Sequence, residues 1–426
     1  MHASSTYPGD WRRVVVGSGS IGLETTRPEE EARTTRAVIA IAAGAGIASL
    51  SMNFWVPFLP LYMQELGATS DADALFWVAI AATSQGIVRL ASGPVWGVLS
   101  DRYGRKLMFL RALVFASVTT AIAAFATEPW HIVLAFVFQG IFSGFVPAAT
   151  ALTSVSVPDS RMNSSLSTVT GAVYIGNTIG PAIGAGFALL TGYRGAILAG
   201  AALPALAAIL AAVTVPRDRV ASARADADGI PAPAVSMRAL LTTQFVLVLL
   251  VFFVSISLNQ VLRLATPVAL ERIAGGEAGA KGASGVAFTL AGLASVAGVV
   301  LAQRVVKSGR LTRMLVVACV VAGGAHLVLL FAGTAATFIG AFAVISLLQA
   351  AMLPATNTLI AANAPRERRG TAFGIASGVQ AVGFMAGPMA AAGFAAVSLN
   401  LGFVVLAGIF LALAVLIFGA IREPRM

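Results

Sequence analysis

Of the chain's 426 residues, 58% are hydrophobic and 11% charged, against roughly 25% charged in an ordinary water-soluble domain. Apolar runs repeatedly exceed the ~20 residues that cross hydrocarbon, which excludes a sizeable soluble domain. The net charge of +10 is spread over tails and loops, which argues against a nucleic-acid partner, and one cysteine (Cys319) with three scattered histidines (His2, His131, His326) implies no intramolecular disulfide, metal cluster or cofactor.

Residues 1–36 are polar and lack the apolar core and small-residue cleavage site of a secretory signal, so they read as a cytoplasmic tail. Apolar runs follow at about 37–64, 72–99, 107–126, 130–156, 164–190 and 194–216, separated by short polar or Gly/Pro-marked turns. Mixed charge and prolines at 217–238 then form a linker that cannot span lipid. Six more runs lie at about 239–270, 282–306, 311–332, 335–362, 370–397 and 401–421, ahead of a short tail at 422–426. The expected fold is an all-α polytopic membrane protein of twelve helices, divided into six-helix bundles at 37–216 and 239–421. In the odd-numbered loops the cations are Arg194, Arg272 and Lys281, and Arg89 and Arg263 lie deep inside runs; the others occupy tails, even-numbered loops and adjoining helix ends. This bias puts both termini in the cytoplasm.

Run 1 carries Asn53 and Trp55 beside Pro57 and Pro60. Aromatics next to loosened backbone suit the lining of a site for a lipophilic molecule, whereas Trp55 and Tyr62 could equally form an interfacial belt, the preferred reading for Tyr62. In run 2, Arg89 precedes Asp101 by twelve positions, roughly 18 Å of helix, which places it near the bilayer centre. An arginine there costs about 2.5–3.5 kcal/mol on insertion scales and should face the bundle interior and hold a partner. Arg263 in run 7 lies nearer the outside, where snorkelling competes with an interior role. Gln139, Asn259, Gln349, Asn357 and Gln380 are further polar residues in apolar runs, each able to bond a neighbouring helix or a ligand. Every Asp and Glu falls in a tail, loop or helix end; Glu65, Asp71, Asp73 and Glu271 form an outer set, with the two aspartates expected to be solvated.

The charged turn after run 2 reads Gly97-Val98-Leu99-Ser100-Asp101-Arg102-Tyr103-Gly104-Arg105-Lys106. Gly93 and Gly97 permit close helix contact there. In run 5, Gly176, Gly180 and Gly184 share one face with Pro181 among them, and run 11 repeats the pattern as Gly383, Gly387 and Pro388. Shifted by 207 positions without a gap, Pro147, Pro158, Arg161, Gly171, Gly176, Gly180, Pro181, Gly186 and Phe187 fall on identical residues, so the two halves are copies of one unit.

The turn resembles the signature loop of the major facilitator superfamily, G-x-x-x-D-[RK]-x-G-[RK]-[RK], at every defining position. The run 5 pattern is similar to the antiporter motif of that superfamily's drug exporters. Together with Gly144-Phe145-Val146-Pro147, these stretches resemble the multidrug-efflux branch of the twelve-helix drug:proton antiporters over about residues 37–421. The resemblance implies secondary active export of lipophilic or amphipathic small molecules by alternating access, with protons as coupling ion, in the inner membrane of the cell and as a monomer. It also implies that Asp101, with Gly97, Arg102, Gly104, Arg105 and Lys106, governs the conformational cycle, and that helices 5 and 11 meet at the interface between halves. Where the family commonly has arginine in helix 4 this chain has Phe136, so direct support for proton coupling is missing. Export of an organic anion or siderophore-like metabolite held by Arg89 is one alternative, and a membrane scaffold or sensor without transport is another. No ATP-binding loop or nucleophile motif favours an enzyme.

Overall fold

A computed structural model describes residues 28–215, 242–274, 277–307, 310–364 and 369–422; the expected linker at 217–238, the end of the C-terminal tail and most of the N-terminal one lie outside these. The described residues form α1 (Pro28–Trp55), a 3₁₀ turn at Val56–Phe58, α2 (Leu59–Glu65), α3 (Asp71–Tyr103), α4 (Arg105–Ala124), α5 (Pro129–Phe142), α6 (Phe145–Ser156), α7 (Asp159–Thr214), α8 (Thr243–Ala274), α9 (Glu277–Lys307), α10 (Leu311–Leu330), α11 (Ala335–Ala362), α12 (Arg369–Val397) and α13 (Leu399–Ala420). Eleven segments are long and apolar enough to cross a membrane. One of them, Ser164–Thr214 at 51 residues, holds two crossings, because α7 runs through both expected runs 5 and 6 with a single non-helical residue, Gly192, at φ 71°. The protein is therefore a multi-pass membrane protein with twelve crossings among the described residues.

Local chemistry sets the breaks. Pro57 and Pro60 cannot donate to preceding carbonyls, and crossing 1 is accordingly split into α1, the 3₁₀ turn and α2. Crossing 4 breaks between α5 and α6 at Ser143 and Gly144. Ser70, Thr334 and Ser398 cap α3, α11 and α13 by accepting from backbone N–H groups three residues on, which satisfies one orphan donor at each start. Gly104, at φ 95°, makes the turn from α3 into α4, a backbone conformation that favours glycine.

Without a hydrophobic drive between helices in lipid, association rests on close van der Waals contact, and small residues permit it. A Cβ on Gly180 would lie 2.7 Å from the Leu50 carbonyl oxygen and 3.0 Å from Asn53 Cβ; one on Gly387 would lie 2.8 Å from the Ser257 carbonyl oxygen and 2.5 Å from Gln260 Cβ. Gly176 is likewise pressed against Gly46 and Ser49, Gly383 against Phe253 and Ile256, and Gly184 against the Phe54 carbonyl. The paired contacts repeat at the 207-residue shift on both sides, so the internal copy extends to the packing. They also correct an expectation: the glycine faces of crossings 5 and 11 do not meet at the interface between halves. Each lies within its own half, seating α7 on α1 and α12 on α8, because a small-residue stripe goes where two backbones come closest.

The halves meet instead through α3 with α12 and α7 with α9. Gly86 faces Met385, with Met385 Cγ 2.5 Å from where a Cβ would stand, and Gly285 and Gly292 face Ala185 and Thr178. Phe58 packs edge-on against Phe288 at 5.6 Å between ring centres. At one extremity Arg272 Nε donates to Asp71 Oδ2 at 2.8 Å, and Gln64 Nε2 donates to the other oxygen at 2.7 Å. Asp71 is thus paired across the halves rather than solvated. The opposite extremity carries the 97–106 turn. There α3 and α12 diverge: a Cβ on Gly93, Gly97, Gly374 or Gly378 would meet nothing within 4 Å. Close helix contact at Gly93 and Gly97 is therefore not made in this conformation, and a gap opens between the halves at the Gly104 end.

Candidate functional site between the halves

The closed apex of the gap is polar. Asn53 Nδ2 donates to Asn177 Oδ1 at 2.7 Å and to the Ser49 carbonyl at 2.9 Å, Ser49 Oγ donates to the same Asn177 oxygen at 2.6 Å, and Arg263 Nη2 donates to Asn53 Oδ1 at 2.8 Å. This cluster joins α1 and α7 of one half to α8 of the other. Arg263 does not snorkel outward; it reaches a neutral oxygen in the interior, which satisfies a donor without cancelling its charge. Ser49 and Asn177 escaped the sequence reading, although a lone Asn beside Gly176 in an apolar run was a usable signal.

Further towards the Gly104 end, the walls are cross-braced. Gln85 Nε2 donates to Gln139 Oε1 at 2.6 Å, Ser92 Oγ to the Gly140 carbonyl at 3.2 Å and Trp96 Nε1 to the Ile141 carbonyl at 2.5 Å, holding α3 on α5. The Arg111 guanidinium lies over the Trp96 ring, 3.5 Å from its centre, a cation–π contact. In the other half, Asn259 Nδ2 donates to Gln349 Oε1 at 2.6 Å between α8 and α11. Asn357 on α11 faces the Tyr174 hydroxyl of α7, and Gln380 is half-buried on α12. Trp55 and Tyr62 are neither belt residues nor exposed to the gap: both are buried, Trp55 edge-on to Phe136 and Tyr62 donating to the Ala123 carbonyl at 3.1 Å.

Arg89 stands apart. Gln85, Ser92 and Trp96 define the side of α3 that meets α5, and Gly86 the side that meets α12. At about 100° per residue, Arg89 projects between those two directions, into the gap. It is exposed, and no hydrogen bond or ion pair reaches its guanidinium from the described residues, so the partner expected for it is not found there. Asn53 and Arg263 are drawn together at the apex, and Asn259 with Gln349 further along, whereas Trp55 is set apart in the bundle.

The 97–106 turn clamps helix ends. Arg105 Nη1 donates to the Ala151 carbonyl at 3.2 Å and to Ser154 Oγ at 3.1 Å on α6, and Lys106 Nζ donates to the Ala212 carbonyl at 2.8 Å and also to the Val215 carbonyl, at the end of α7. Cations at carbonyl-rich C-termini are favoured by the helix dipole. The Asp101 side chain lies outside the described residues.

Two bundles joined at one extremity and parted at the other, with polar groups lining the gap in an otherwise apolar chain, define a two-bundle polytopic membrane protein. The chain belongs to the Major Facilitator Superfamily, whose family model matches residues 41–272 and 264–426. It is 34% identical over 175 residues to the multi-drug resistance efflux pump PmrA of Streptococcus pneumoniae, which covers 41% of this chain and 44% of that pump; the aligned stretch thus spans less than half of that relative. Over 398 residues it is 25% identical to the multidrug resistance protein MdtG of Klebsiella pneumoniae, covering 89% of this chain and 92% of that protein. The fold also matches the solved nucleoside transporter NupG at a TM-score of 0.70 and 13% identity, over 90% of this chain and 100% of that one.

Proposed function

We propose that this protein is a secondary active exporter of lipophilic or amphipathic small molecules, not an enzyme, working by alternating access in the cytoplasmic membrane. The observation that carries the reading is the divergence of α3 and α12 below Gly86, which leaves a gap open at one end and sealed at the other, as a carrier waiting for cargo requires. The loop cations Arg102, Arg105 and Lys106 support a cytoplasmic open end and cytoplasmic termini, with the gap loading from inside. The bundles 37–216 and 239–421 would move as the two bodies, with Asn53, Arg89, Gln139, Asn259, Arg263, Gln349, Asn357 and Gln380 facing or bracing the gap. Similarity to efflux pumps over part of the chain supports the direction and the substrate class.

Protons are the proposed coupling ion. Among the described residues no Asp or Glu lies mid-crossing, so proton loading falls to the carboxylates at the Asp71 end: Glu65, Asp71, Asp73 and Glu271. Inside-out vesicles containing the protein should accumulate lipophilic dyes, faster with an imposed pH gradient. Accumulation equal to that of empty vesicles would overturn the transport reading, and accumulation indifferent to the gradient would overturn the coupling.

A further inference from the structure

We propose that the gap selects amphiphiles carrying a negative charge, with the Arg89 guanidinium as the anion's anchor. The inference rests on the gap being the substrate cavity and names the chemical class it prefers.

Three independent observations meet here. Arg89 projects between the α5-facing and α12-facing sides of α3, exposed in the open gap, and no hydrogen bond or ion pair reaches its guanidinium from the described residues. Its neighbours one turn away on each side, Gln85 and Ser92, donate to Gln139 and the Gly140 carbonyl instead. The second cation of the gap, Arg263, is held by the amide oxygen of Asn53, which leaves its charge uncancelled. With the carboxylates of the described crossings confined to their ends, the polar lining carries a net positive charge.

Inside a low-dielectric protein such a charge attracts anions far more strongly than in water. A planar guanidinium offers a carboxylate, sulfonate or phosphate paired donors in matching geometry. The two cations are also ordered along the path. Arg89 lies about 22 Å from the Gly104 end, while Arg263, eleven residues from the end of α8, lies about 16 Å from the other, at 1.5 Å per residue. An anion entering from the open end meets Arg89 first and Arg263 at the sealed apex.

The test uses one apolar probe in two charge states: dansyl-aminoundecanoic acid, ionised at neutral pH, and its methyl ester, each titrated by fluorescence into the purified full-length protein. The wild type should bind the acid about tenfold more tightly than the ester. Arg89→Gln should bring the two affinities together, Arg89→Lys should keep part of the preference by charge without the fork, and Arg263→Gln should reduce it by less than Arg89→Gln. Melting temperatures accompany each variant. Equal affinity of the wild type for acid and ester overturns the proposal without recourse to any variant, as does a folded Arg89→Gln protein that still prefers the acid. Vesicles separate the two readings: absence of transport for every compound, with the acid preference intact, refutes transport and not the anion site, whereas transport of neutral dyes by a protein without that preference refutes the anion site alone.

Discussion

Arg263 on α8 and Asn53 on α1 are bonded to one another at 2.8 Å, and the bond crosses from one half of the protein to the other. The oxygen of Asn53 serves Arg263 while its amide serves Asn177 and the Ser49 carbonyl, so one side chain ties the apex together. Interhelical hydrogen bonds within membranes contribute about 0.6 kcal/mol on average and up to about 1.7. Asn53→Ala and Arg263→Ala should each lower the melting temperature, and the double variant should lose less than the sum, with a coupling of about 1 kcal/mol. Additive losses would show that the two residues act independently.

The Asp71–Arg272 pair is half-open to solvent, with side-chain exposures of 19% and 55%, and such pairs contribute about 0.2–1 kcal/mol. At the upper end, Asp71→Asn would raise the population open at that extremity about fivefold. Spin labels at Thr69 and Gly279 should then report more long distances. High salt should reproduce the effect in the wild type by screening, and the reversed pair, Asp71→Arg with Arg272→Asp, should undo it. Unchanged distances in Asp71→Asn at low salt would remove this pair from the closure of the apex.

Gly180 and Gly387 pack within their halves, so their substitution should damage folding before it damages the transport cycle. Gly180→Ala and Gly387→Ala force a Cβ against the carbonyls of Leu50 and Ser257 and should each cost about 1–3 kcal/mol. Gly186 and Gly393 are also related by the 207-residue shift, but an added Cβ meets nothing within 4 Å at either; their alanine variants should melt like the wild type. Four variants of equal stability would contradict the packing.

α3 and α12 run antiparallel, and the Gly86–Met385 contact sets their register. Continued towards the Gly104 end, it pairs Gly93 with Gly378 and Gly97 with Gly374, the four glycines that now face open space. Cysteine pairs at 93 with 378 and at 97 with 374 should cross-link poorly in the conformation described and more readily in an Asp71→Asn background, which favours the opposite state. A higher yield for the mismatched pairs 93 with 374 and 97 with 378 would refute the register.

Helix number, the boundaries of most crossings and the internal copy were legible in the sequence because the bilayer demands long apolar runs and penalises charge inside them. Partners were less legible. Gly180 announced a close contact but not with which helix, since a small-residue face is equally suited to α1 and to the opposite half. Asp71 looked solvated because its partner, Arg272, lies 201 positions away. Tyr62 looked interfacial because an aromatic at the end of a run is ambiguous until a carbonyl acceptor, here that of Ala123, is seen beside it. For Arg89 the run fixed the depth, but only the contacts of Gln85, Gly86 and Ser92 fixed the direction.

In the proposed cycle the contact at Gly86 would act as a fulcrum, and the distance from it would set the stroke. Gly97 lies eleven residues beyond, roughly 16 Å along the helix. A closing rotation of about 10° therefore brings Gly97 only ~3 Å nearer to α12 at that radius, and still less at Gly93. Over so short a travel, a single side chain on either helix would be a stop that ends the swing early. Bare backbone at four facing positions would leave the whole arc free, so the angle through which the halves could swing would be set by what those glycines lack.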